Sequence, residues 1–152
     1  MVSTLGRYIS ILNRQKKIYI NSIFKQHGLG YSSCIFLIFI SKHEGINQKE
    51  LCKRMVVDEA LATRTVRDLE KQGMISKRKD PEKPRSNTLY ITEKGRELIP
   101  KLTEVFNGWW SSVTDNIDEQ QVQWLVSQIQ YMSEKAREIN RINSYKENKG
   151  EE

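Results

Sequence analysis

The stretch from Asp58 to Arg85, DEALATRTVRDLEKQGMISKRKDPEKPR, limits what this chain can fold into more than any other. Apolar Ala62, Val66 and Leu69 recur at helical spacing, which places Ala60, Arg64, Arg67 and Lys71 on the opposite, cationic face. A short strand from Met74 to Lys79 follows, then a turn rich in Asp, Pro and Lys, then a second strand from Leu89 to Thr92. A helix leading into a basic hairpin is the outline of a winged DNA-binding motif.

The flanking chain supplies helices. Leu5, Tyr8, Ile9, Leu12, Tyr19, Ile20, Ile23 and Phe24 form the apolar stripe of a long first helix over residues 4 to 27, closed by His27 and Gly28. The next helix, about Ser32 to His43, contains CIFLIFI, which is apolar on nearly every side and should be the most enclosed. Asn47, with Glu50 three residues on, is placed to cap a short third helix ending near Met55. Val56 and Val57 make a turn, Asp58 caps the fourth helix, and Gln72 with Gly73 ends it. These two helices make a helix-turn-helix. Thr92 caps a fifth helix that continues past Pro100, and Asp118 caps a last one with Val122, Leu125, Ile129, Met132, Ala136 and Ile139 on one side. The polar tail 144–152 is expected to be disordered.

Charge narrows the partner. Residues 1 to 45 carry six Lys or Arg against one Glu, residues 46 to 100 thirteen against nine acids, and residues 101 to 152 six against nine, within a net +6. The basic part contains the helix and hairpin, so the C-terminal third is a poor place for phosphate contact. Cys34 and Cys52 form no CxxC pair, and His27 and His43 have no ligand-spaced Cys or carboxylate, so neither disulfide, metal nor cofactor is expected. No Ser/His/Asp set, P-loop or Gly-rich nucleotide loop points to an enzyme. The N-terminus lacks an apolar signal region and the longest apolar run, Cys34 to Ile40, is too short for a bilayer, so a cytoplasmic protein with no membrane partner is expected. The long terminal helices carry more apolar surface than one helix-turn-helix unit covers, which predicts a homodimer.

Four segments in register, NQKELCKRM, VVDEALATRTVRDLEKQGMI, KRKDPEKPR and LYITEKGREL, resemble the MarR family of transcription regulators, and the order of elements agrees from about residue 5 to residue 142. The resemblance implies a mainly α fold with a small β-hairpin wing, a winged helix-turn-helix carried on long terminal dimerisation helices. Residues 31–99 would form the DNA-binding domain, with 1–30 and 100–143 the dimerisation region. It further implies a regulator of double-stranded DNA, expected to be a repressor on a near-palindromic operator, with one recognition helix per subunit in the major groove. Arg85 matches a wing-tip arginine for the minor groove and Asp80 an aspartate that shapes the wing, whereas Lys83 and Pro84 depart from the common pattern.

On the recognition helix, Ala60, Thr63, Arg64 and Arg67 avoid the buried face, and the N-terminal half of such a helix enters the groove. Arg64 is the best candidate for a base, since arginine pairs bidentately with guanine. The alternative for Arg64 and Arg67 is a solvated ion pair or phosphate contact alone. Lys77, Arg78, Lys79, Lys83 and Arg85 would supply affinity by counterion release, and Lys49 and Lys53 could add phosphate contacts. The family resemblance also implies a small, often aromatic, effector between the first two helices and the fifth, for which Tyr8, Tyr19, Phe36, Phe39 and Trp109 are candidates, with core packing the competing role.

Overall fold

In the computed structural model, described for residues 2–80 and 86–149 and for the side chains of 4–80 and 86–141, six helices and three short strands follow the expected order. Helix α1 (Val2–Phe24) passes through a 3-10 turn, Lys25–His27, and α2 (Tyr31–Lys42) begins where Asn21 Oδ1 of α1 accepts from the Tyr31 N–H at 2.7 Å. As its composition demands, α2 is the enclosed helix, with Cys34, Phe36, Leu37 and Ile40 all buried.

Strand β1 (Ile46–Asn47) leads into α3 (Gln48–Met55), and α4 spans Glu59–Lys71. Both helix starts are capped as expected: Asn47 Oδ1 accepts from Glu50 N at 2.9 Å and Asp58 Oδ1 from Leu61 N at 2.7 Å. Gly73 leaves α4 at φ +70, which a residue with a Cβ adopts only under strain. Strands β2 (Ile75–Lys79) and β3 (Asn87–Ile91) pair antiparallel from Ile75 opposite Ile91 to Lys79 opposite Asn87.

Two differences from the sequence reading concern element bounds. Ile46 and Asn47 add a third strand, pairing with Leu89 and Thr88, so the sheet runs β1-β3-β2 rather than being a bare hairpin. Two residues that also serve as a helix cap give no period-2 signal. The last helix, α6 (Glu119–Lys149), runs on through residues 144–149, which were expected to be disordered. Lys and Glu are good helix formers, and an established helix extends through them. Residues 150–152 lie outside the described residues.

Helix α5 (Glu93–Val113) is continuous through Pro100. Its start is fixed by Thr92, whose Oγ1 accepts from Gly95 N at 3.2 Å and whose hydroxyl donates to Gly73 O at 2.6 Å. Gly95 is necessary here, since a Cβ would collide with the carbonyl of Met74 and crowd Ile91.

Packing divides the chain into two compact units, Met1–Trp109 and Trp110–Glu152, with the boundary inside α5. The core of the first gathers Ile20 and Phe24 of α1, the buried face of α2, Leu51 of α3, Ala62, Val66 and Leu69 of α4, Ile75, Leu89 and Ile91 of the sheet, and Leu102 of α5. The α1 stripe residues Leu5, Tyr8, Ile9 and Leu12 are exposed. On α6 so are Trp124, Val126, Ile129, Tyr131 and Ile139, and Val122 alone among its described side chains is partly covered. No single helix among the described residues is long and apolar enough to cross a membrane.

Candidate nucleic-acid interface

The buried face of α4 is Ala62, Thr65, Val66 and Leu69, which leaves Ala60, Thr63, Arg64, Arg67 and Lys71 exposed on the other side, as the periodicity requires. Arg67 reaches its neighbour Asp68 only at 3.8 Å and is 71% exposed, so that pairing is loose. Among the described residues no ion pair holds Arg64, which borders a groove of about 620 Å³ together with Asp68, Lys71 and Ser32 and Ser33 at the start of α2. The recognition row therefore stands clear of the core with its two arginines able to move. Thr63 is the exception: its Oγ1 accepts from Gln48 Nε2 at 2.7 Å.

The basic residues of β2 do not form one patch. Successive residues of a strand point to opposite faces. Lys77 turns toward α4 and pairs with Glu70 at 2.8 Å, while Arg78 lies on the other face with its guanidinium 4.1 Å from the ring centre of Tyr90, its diagonal neighbour on β3. Lys79 is exposed at the end of the strand. Asp80 N–H donates to Ser86 O at 3.0 Å, which closes the base of the wing. Lys83 and Arg85 lie outside the described residues. Lys49 and Lys53 are exposed on α3, but they border a hollow that also takes in Asp58 and Glu59, which weakens their appeal to phosphate.

The aromatic candidates for an effector differ in their surroundings. Phe36 is buried in the core, Phe39 stacks on His43 at 4.3 Å under the Arg54 guanidinium, Tyr8 and Tyr19 are exposed, and Trp109 is buried. None of the five lines the hollow beside Arg64 or those at Met74 and Lys94, at Ser22–Gln26 and at Lys49–Glu59. Sequence reasoning missed a different aromatic corner. The Tyr31 ring lies 6.0 Å from Phe106 of α5, with the ammonium groups of Lys16 and Lys17 at 5.7 and 5.6 Å from its centre. Burial lowers the pKa of Lys16 and raises that of Tyr31. The i, i+1 lysines and a tyrosine beginning the next helix gave no periodic signal.

Residues 36–86, the span from α2 to the wing, match the model of the MarR family. The HTH-type transcriptional regulator BilQ of Clostridium symbiosum is 27% identical over 130 residues, 86% of this chain and 90% of that protein. The crystal structure of a MarR transcriptional regulator from Methanosarcina mazei Go1 is 26% identical and superposes with a TM-score of 0.85 over 90% of this chain and 99% of that one. The span from α2 to the wing is a MarR-family domain. Members of this family are transcription regulators rather than enzymes, and the helix-turn-helix formed by α3 and α4 lies within the part the family model covers. A MarR family structure from Listeria monocytogenes, complexed with 26mer DNA, shares the fold at a TM-score of 0.77 and 24% identity over 89% of this chain and 87% of that one.

Proposed function

We propose that this chain binds double-stranded DNA sequence-specifically, as a homodimer on a near-palindromic operator, and represses transcription from the cytoplasm of its cell. The observation that carries the reading is the row Ala60, Thr63, Arg64 and Arg67: exposed, cationic and held on a helix capped at Asp58. Such a helix places its first half in a major groove, with Arg64 opposite guanine O6 and N7. Lys79 and Arg78 then add charge beside the groove, with Arg85 at the wing tip entering the minor groove and Asp80 holding the wing's shape. Lys83 adds phosphate attraction, and Lys77, Lys49 and Lys53, each beside an acid, add less.

The homodimer is supported by apolar side chains left exposed on α1 and, separately, on α6, more surface of that kind than a monomer keeps in water. On this reading 1–30 and 100–143 serve dimerisation and 31–99 serve DNA. A small aromatic effector is supported by the Tyr31–Phe106 corner, where two lysines offer charge to an acid and the rings offer a stacking surface. Arg64→Ala is the direct test. Its binding to duplexes selected by the wild-type chain should fall about tenfold or more, with guanine preference lost at one base pair per half-site. Unchanged affinity and unchanged preference would remove α4 as the reading element.

A further inference from the structure

On the outer side of helices α3 and α4 a side-chain bond runs from Gln48 Nε2 to Thr63 Oγ1 at 2.7 Å. Gln48 is the first residue of α3 and Thr63 is exposed in the row that includes Arg64. The fold does not need this bond: neither residue belongs to the buried cluster, and each helix already has its own cap in Asn47 or Asp58.

Its effect is on a proton. A threonine hydroxyl has one hydrogen, two lone pairs and a free rotor. On a helix that hydrogen commonly turns back to a carbonyl of the preceding turn. Ser22, Ser41, Thr114, Ser127 and Ser133 all bond in that way here. Thr63 makes no such bond among the described residues; instead the Gln48 N–H occupies one of its lone pairs. The hydroxyl hydrogen must then point away from Gln48, and the side chain stands on the exposed face of α4.

We propose that Gln48 is a positioning residue for base reading, which holds the Thr63 hydroxyl as a hydrogen-bond donor toward the major groove. The proposal rests on the reading that α4 enters that groove. A donor favours the acceptor edges of guanine, of adenine at N7 or of thymine at O4, and disfavours the cytosine amino group.

The test is selection of bound duplexes from random DNA by the full chain, by Gln48→Ala, Thr63→Val and the double variant, and by Gln48→Glu. Gln48→Ala and Thr63→Val should each recover the wild-type site with preference relaxed at the same base pair of each half-site. Affinity for the wild-type site should fall up to about tenfold, as for one lost hydrogen bond, with affinity for unrelated DNA unchanged. The double variant should bind no more weakly than Thr63→Val, because both changes act through one hydroxyl. In Gln48→Glu the carboxylate can only accept, so the hydroxyl turns inward and the preference at that pair should shift toward bases that donate. Full preference retained in Gln48→Ala, an equal loss on all duplexes, additive losses, or no shift in Gln48→Glu would each overturn the positioning role while leaving the DNA reading in place. A wild-type chain that selects no sequence would remove both.

Discussion

The Glu70 carboxylate on α4 and the Lys77 ammonium on β2 meet at 2.8 Å, so one ion pair ties the helix that carries Arg64 to the strand that leads into the wing. Both side chains are partly exposed, and a pair of this kind contributes at most about 1 kcal/mol. Its larger consequence is that Lys77 is already neutralised, whereas among the described residues no acid pairs with Lys79. In a salt titration of duplex binding, Lys79→Ala should flatten the slope of log affinity against log salt by about 0.9, as for one lost phosphate contact. Lys77→Ala should change it clearly less. Equal changes would mean that the pair opens on DNA.

At the joint between sheet and α5, the missing side chain of Gly95 admits the Met74 carbonyl. Gly95→Ala forces backbone apart at a buried point, and overpacking of this sort costs about 1–3 kcal/mol. A denaturant or thermal melt should show that loss, with Tm lower by roughly 2–4 °C per kcal/mol for a chain of this size. The usual gain from replacing a helical glycine by alanine should not appear.

Val56 closes α3 with φ +54, a left-handed conformation that a β-branched side chain resists, and it is 63% exposed. Left-handed strain of about 1–2 kcal/mol exceeds the entropy that glycine would add to the unfolded chain. Val56→Gly should therefore stabilise the protein by about 1 kcal/mol, read as a higher midpoint in urea. A lower midpoint would show that Val56 packs usefully.

Burial pushes the Cys34 thiol up from 9.0 to about 12, and burial also raises Cys52, with Glu59 nearby adding to the shift. Since the thiolate is the reactive form, neither cysteine should be alkylated at pH 8 until the protein unfolds. The pH dependence follows from the same direction. The unfolded thiol ionises near 9 while the folded Cys34 thiol holds its proton, so its contribution to stability is complete below pH 9 and declines as pH rises toward 12. Cys34→Ser should remove part of that alkaline decline, measured by melts between pH 8 and 10.5.

The helices and their ends were legible in the sequence because 3.6-residue periodicity and caps such as Asn47, Asp58 and Thr92 act locally. The exposed row of α4 was legible for the same reason. What was not legible depends on contacts between distant residues. The five wing cations read as one run, yet Lys77 faces Glu70 and Arg78 faces Tyr90, a division that pairing register and strand alternation create. Strand β1 was hidden because its two residues find their partners at Leu89 and Thr88, over forty positions away. Apolar periodicity does not tell core from cavity, so it could not sort the aromatic residues: Phe36 fills the core, while Tyr31 and Phe106 meet across α2 and α5.

The central claim, that α4 and the wing read a two-fold DNA site, is tested most directly by footprinting the purified chain on its best selected duplex across a salt series. The account predicts protection with dyad symmetry, half-sites about 10 bp apart, and affinity that falls steeply as salt rises. Protection without symmetry, or binding indifferent to salt, would contradict it.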